Sequence, residues 1–123
     1  MLKLVGVETY YGKIKALHGV SLNVEEGQLV TILGANGAGK STILKTISGL
    51  VEPENGTIHF NNIRIDREDP EKIVSMGISH VPEWRRIFPD LTVYDNLYMG
   101  GFLIKNEELL SERMEEAYTH FPI

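Results

Sequence analysis

Apolar positions along the chain fall into short runs of differing period, and the period predicts the elements. Residues 2–9 read as a strand, and 20–24 alternate apolar and polar as a half-buried strand does. Glu25-Glu26-Gly27 then turns the chain. Residues 28–33 are short and mostly apolar, which suits a strand buried on both faces of a parallel sheet. A loop over 34–39 leads into a helix over 41–48, with Gly49 as its stop. Pro53 to Asn55 is turn material, 57–60 a strand, and Asn61-Asn62 a hairpin turn back into 63–65. Asp69 followed by Pro70 starts a short helix that ends near Gly77. Residues 78–81 form a strand and 82–89 a loop. Thr92 caps a helix, with Asp95 three residues on and Leu97 inside it, and Gly100-Gly101 interrupts it. Over 107–121, Leu110, Met114, Ala117 and Phe121 fall on one helical face. Strands alternating with helices predict an α/β layer fold with antiparallel pairing near the N-terminus.

Composition narrows the function classes. At 123 residues the chain is one domain or part of one. A net charge of -5 with no basic block gives no support for nucleic acid as a partner. With no cysteine there is no disulfide, zinc-thiolate site or thiol nucleophile, which fits a reducing cytosol. The first twelve residues lack the apolar core of a signal peptide, and no apolar run reaches the length of a membrane span. A membrane role would have to be borrowed from another chain.

The most specific feature is Gly34-Ala35-Asn36-Gly37-Ala38-Gly39-Lys40-Ser41, which fits G-x-x-x-x-G-K-[ST] at every fixed position. Glycines let the backbone wrap closely around an anion. Backbone N–H groups from Gly37 to Ser41 then donate to phosphate oxygens, and the following helix adds its positive dipole end. Lys40 reaches the β- and γ-phosphates, the Ser41 hydroxyl ligates magnesium, and Thr42 can donate to the α-phosphate. The competing reading is a chance glycine-rich turn. An apolar strand before the loop and a helix after it argue against that.

With these residues in view, the chain resembles the ATP-binding subunits of ATP-binding-cassette (ABC) transporters. The resemblance rests on Tyr10-Tyr11-Gly12, on 16–22, on Gly27 and the phosphate loop, and on Gly49-Leu50, Pro53 and Gly56-Thr57-Ile58. A narrower likeness to the branched-chain amino acid importers lies in 81–89, Leu91-Thr92-Val93 and Asn96-Leu97. The resemblance implies a P-loop NTPase-type core over about residues 1–90, with an antiparallel β region at its start. It places the start of a helical subdomain over about 91–123, where the chain is expected to stop. It implies ATP and Mg²⁺ as ligands, with a membrane permease and a second ATP-binding subunit as partners. It implies a peripheral place on the cytoplasmic face of the cell membrane.

The resemblance also assigns roles. Tyr11 takes the place of the ring that stacks on adenine, with strand packing as the alternative and either Tyr10 or Tyr11 expected in the core. Glu83 stands at the Q-loop position, where the wider family carries glutamine, and would act beside the metal and the attacking water. A solvated loop carboxylate is the bland reading. Trp84 is a contact with the membrane subunit or a core residue. Arg85 and Arg86 read as a solvated basic pair, and the four histidines as structural.

No apolar strand here ends in Asp-Glu, and there is no Leu-Ser-Gly-Gly-Gln. Ile63-Arg64-Ile65-Asp66 is too polar for the first and lacks its second carboxylate. Phosphoryl transfer to water needs both a water-positioning group and charge stabilisation, so no turnover is expected of this stretch alone. Residues 28–33 are expected to present an unpaired apolar edge. The alternatives are a cassette ATPase outside transport, a small P-loop kinase, a GTPase and a non-catalytic nucleotide-binding fragment.

Overall fold

The computed structural model describes all residues except Arg85 and Ile123. The polypeptide forms two compact units, Met1–His80 and Val81–Ile123.

The first unit is built on a four-stranded antiparallel sheet in the order β2-β1-β3-β4. Strand β1 (Leu2–Tyr11) turns through Gly12 and Lys13 into β2 (Ile14–Val24), pairing Tyr11 with Ile14 and Leu2 with Val24. Strand β3 (Asn55–Phe60) pairs with the other edge of β1, and the two-residue β4 (Ile63–Arg64) closes the sheet. Between β3 and β4, Asn61 and Asn62 both take positive φ (49° and 64°), the pair that a two-residue hairpin of favourable twist requires. Period-two alternation puts Leu4, Leu22 and Ile58 in one row across three strands. Leu4, Val7, Leu17 and Ile58 are buried there.

Helix α1 (Lys40–Ile47) covers this face with Thr42, Ile43, Thr46 and Ile47, spaced as one helical stripe. It ends at Gly49 (φ +70°), where Gly49 N donates to Thr46 O and Leu50 N to Lys45 O, so the last carbonyls are satisfied. Helix α2 (Pro70–Ser75) begins after Asp69 with proline in its first turn and packs Ile73 into the same core. Its end repeats the pattern, with Gly77 N to Val74 O and Ile78 N to Ile73 O.

Gly56 is where the sheet tolerates no side chain. Its φ is +88°, and a Cβ there would lie 2.5 Å from Gly6 O and 2.6 Å from Val5 O on β1. Both atoms are backbone and cannot swing aside. Gly56→Ala is expected to destabilise the unit by about 2–4 kcal/mol, combining left-handed strain with overpacking. An unchanged denaturant midpoint in the variant would refute this.

Two strand expectations are corrected. Residues 28–33 join no ladder among the described residues, and Leu29 and Leu33 are each 90% exposed. The apolar run is there, but nothing in the described residues lies beside it to form a parallel pair, so only Ile32 packs against the core. Residues 78–81 likewise form no strand, although Ile78 packs against the core. A third correction runs the other way: β2 begins at Ile14, six residues before the alternation at 20–24.

In the second unit, Thr92 caps α3 (Val93–Gly100) with a full capping box, its hydroxyl accepting from Asp95 N while the Asp95 carboxylate accepts from Thr92 N. Asn106 caps α4 (Glu107–His120), which buries Met114 and half-buries Leu110 and Ala117. Phe121 departs from the expected face. The helix stops at His120 and leaves that ring 78% exposed.

Candidate phosphate-binding site

The loop before α1 is held by its own backbone. Ala38 N donates to Ala35 O at 3.1 Å, and Ile43 N to Gly39 O at 2.9 Å starts the helix. Gly39 is the N-cap at φ +92°, and a Cβ on it would meet Ala16 O and Leu17 Cδ2 on β2, each at 2.9 Å. The third loop glycine is therefore fixed by two needs, the left-handed backbone and the close approach to β2. That approach brings the strand following Tyr11 against the base of the loop.

Residues 33–38 are exposed, so their backbone faces solvent rather than the core. Lys40, half-buried, folds its ammonium back over the loop and donates to Gly34 O (2.8 Å) and Ala35 O (2.7 Å). A cation thus lies over the exposed loop at the positive end of a helix. The arrangement fits a polyphosphate: an anion would take the lysine from two neutral carbonyls that water can then solvate. Ser41 occupies the first turn of α1, and Thr42 beside it is 9% exposed. Thr42 O accepts from Thr46 Oγ1 at 2.8 Å, and Thr46 Oγ1 lies 3.2 Å from Thr9 Oγ1 on β1. The buried hydroxyls of Thr9 and Thr46 tie the last turn of α1 to the sheet.

Tyr11 ends β1 and is 45% exposed, whereas Tyr10 is half-buried with Lys15 Nζ 5.6 Å from its ring centre. Neither ring joins the core, because a register shift between Thr9 and Tyr10 breaks the strict alternation. The structure brings Gly34 to Thr42 together in one loop-helix unit. Glu83 is exposed and belongs to the second unit, as does Trp84, which at 88% exposure is no core residue. Arg85, read with Arg86 as a solvated basic pair, lies outside the described residues.

Asp66 is not a metal-site carboxylate. It is nearly buried, and its oxygens accept from Arg64 Nε (2.9 and 3.2 Å), Arg64 Nη2 (3.0 Å) and the Ile58 amide (3.1 Å). Burial pushes its pKa up, but the Arg64 guanidinium and the Ile58 amide outweigh that and hold it below the ordinary value. Sequence reading also gave no role to Asn96. Its side chain accepts from Phe88 N and donates to the carbonyls of Phe88, Leu91 and Thr92, clamping the loop before α3.

Comparison with known proteins gives the family. The ABC transporter family matches residues 17–123. The chain belongs to that family. It is 43% identical over 122 residues to the high-affinity branched-chain amino acid transport ATP-binding protein BraG of Pseudomonas aeruginosa, covering 99% of this chain and 52% of that protein. It is 38% identical over 104 residues to the D-allose import ATP-binding protein AlsA of Escherichia coli, covering 85% of this chain and 20% of that protein. The chain therefore spans about half the length of the first relative and less of the second. Among solved structures, an ATP-binding cassette seen as a post-hydrolysis dimer with ADP and Pi superposes with a TM-score of 0.80 at 31% identity. That match covers 97% of this chain and 56% of the cassette. The ABC cassette fold is thus established. No helix among the described residues is long and apolar enough to cross a membrane.

Proposed function

We propose that this ABC chain supplies the phosphate-loop half of an ATP-binding subunit that energises import of amino acids, branched-chain ones first, by ATP binding and hydrolysis. The observation that carries the reading is Lys40, held over the exposed Gly34-to-Gly39 loop at the head of α1. In this reading the loop amides and Lys40 take the phosphates and Thr42 adds a donor at the α-phosphate. Tyr11 stacks on adenine. Ser41 holds the Mg²⁺ that the triphosphate carries, with Glu83 as its second protein oxygen and the group beside the attacking water. Mg²⁺ keeps most of its ligands from water and phosphate, in keeping with the single hydroxyl offered here. Residues 1–90 form the ATP-binding core and 91–123 open the helical subdomain. Membrane permease subunits and a second ATP-binding subunit are the partners, at the cytoplasmic face of the membrane, and nucleic acid is not one.

A second reading changes only the cargo: the 38% identity to the D-allose import protein AlsA over 85% of the chain supports a sugar importer on the same machinery. Neither reading gives the chain turnover by itself, since it has no Asp-Glu strand end and no signature loop. The test is calorimetric titration with MgATP together with a steady-state hydrolysis assay. Binding without turnover is expected, and fusion to the C-terminal half of BraG is expected to restore hydrolysis. Turnover by the chain alone at the rate of a complete subunit would overturn the reading.

A further inference from the structure

Helices α3 and α4 border a hollow of about 430 Å³ inside the second unit. Tyr94 and Tyr98 lie four residues apart on α3 and so share one of its faces. Their ring centres are 6.2 Å apart and their planes 18° from parallel, so both rings offer their faces at nearly one angle. From α4 come Met114 and Tyr118, again four residues apart. Met114 is buried, while the three tyrosines keep a large part of their rings open to the hollow and to solvent.

Charge in this hollow has one sign. Glu107 and Glu115 line it, and neither enters an ion pair among the described residues. No lysine, arginine or histidine among the described residues lines it. The bases of α4 are engaged elsewhere: Arg113 pairs with Glu116 at 2.7 Å, and His120 lies 3.9 Å from the same carboxylate.

The face of an aromatic ring is the negative part of its quadrupole and attracts a cation placed over it. A methylated ammonium ion spreads its charge over its carbons, sheds water readily, and can lay its methyl groups on the rings and on the Met114 thioether. An anion would meet only repulsion from Glu107 and Glu115. We propose that the hollow binds a small methylated ammonium ion, with Tyr94, Tyr98 and Tyr118 as aromatic walls and the two glutamates setting the sign of charge it accepts. Only residues of the second unit take part, so the proposal stands independently of the nucleotide reading.

Choline is the probe, titrated while the NMR shift of its methyl protons is followed, because ring currents move that signal when the group sits against aromatic faces. Saturable binding to the parent chain is expected, about tenfold or more tighter than for dimethylbutanol, the uncharged carbon isostere. Tyr98→Leu is expected to weaken choline by about 2- to 30-fold. Tyr98→Phe keeps the ring and should bind as the parent does. Glu115→Gln should weaken choline, whereas Glu112→Gln removes the same charge away from the hollow and should not. Binding should persist when the chain is fused to the C-terminal half of BraG. Equal affinity for choline and dimethylbutanol would reveal a plain apolar gap and overturn the proposal. So would equal losses in Glu112→Gln and Glu115→Gln, an unaffected Tyr98→Leu, or a parent that moves no methyl signal. Loss of choline binding in the fusion would mean that protein fills the hollow, and it would overturn the proposal too.

Discussion

Replacing Asp66 with Ala is expected to destabilise the first unit by about 2–4 kcal/mol, seen as a lowered denaturant midpoint. The carboxylate is nearly buried while its partner Arg64 is more than half exposed. Once unpaired, the guanidinium can turn to water. The Ile58 amide cannot, because Ile58 is fully buried in the core, where its N–H donates to Asp66 Oδ1 at 3.1 Å. Most of the loss therefore comes from a stranded backbone donor and a small void. The pH dependence has the same sign. The folded-state pKa of Asp66 lies below its ordinary value, so at neutral pH the carboxylate is ionised in both states and its stabilisation is fully present. As pH falls below about 4, the unfolded carboxyl protonates first, and the stabilisation drains away through the folded pKa. Asp66→Asn should flatten that part of the acid limb relative to the parent. Glu8, held low by Lys15 and Asn55, keeps its own share in both proteins. Identical acid limbs in parent and Asp66→Asn would show that the Arg64–Asp66 pair contributes nothing.

Elements whose signals are local were legible in the sequence. Asn61-Asn62 marked its hairpin because asparagine tolerates the two positive φ values the turn needs. Thr92 and Asp95 marked a helix start because the capping box is closed within four residues. Gly49 and Gly77 marked helix ends for the same reason. The failures were non-local. A strand over 28–33 requires a neighbour that these described residues do not provide, and an apolar run cannot say where its partner is. The start of β2 was missed because Lys15 and His18 interrupt its apolar pattern, although Lys15 earns its place by pairing with Glu8 across the hairpin at 2.7 Å. Gly12-Lys13 between Tyr11 and Ile14 was the turn signal that could have revealed it.

The same division holds at the site. The phosphate loop is confined to consecutive residues, so its spacing alone located the lysine, the glycines and the helix head. What spacing could not reveal is why Gly39 is glycine, since the reason lies on β2 at Ala16 and Leu17. Nor could it show that Asp66 is occupied by Arg64 and Ile58, or that Asn96 is spent on holding its own loop. Side-chain contacts seen in the fold assign polar residues to structure, and only then do the residues left over become candidates for chemistry.

Lys40→Ala is expected to weaken MgATP binding by about 2–4 kcal/mol, roughly 30- to 1,000-fold. The lysine supplies the only side-chain cation of the Gly34–Ser41 motif, and charge-assisted contacts to phosphate are individually worth more than neutral ones. The loss should grade with the ligand: large for the triphosphate, smaller for the diphosphate, and slight for adenosine, which offers Lys40 no anion. Stability should hardly change. Among the described residues Lys40 donates to Gly34 O and Ala35 O, two carbonyls in an exposed loop that water can reach when the ammonium is gone. A weakened variant that melts with the parent thus reports binding rather than unfolding. Arginine should not substitute well, because its flat fork cannot act as the compact point charge this tight loop accommodates. Calorimetric titration of parent and Lys40→Ala with MgATP, ADP and adenosine separates the outcomes. Equal losses for all three ligands would mean that Lys40 shapes the loop without meeting phosphate.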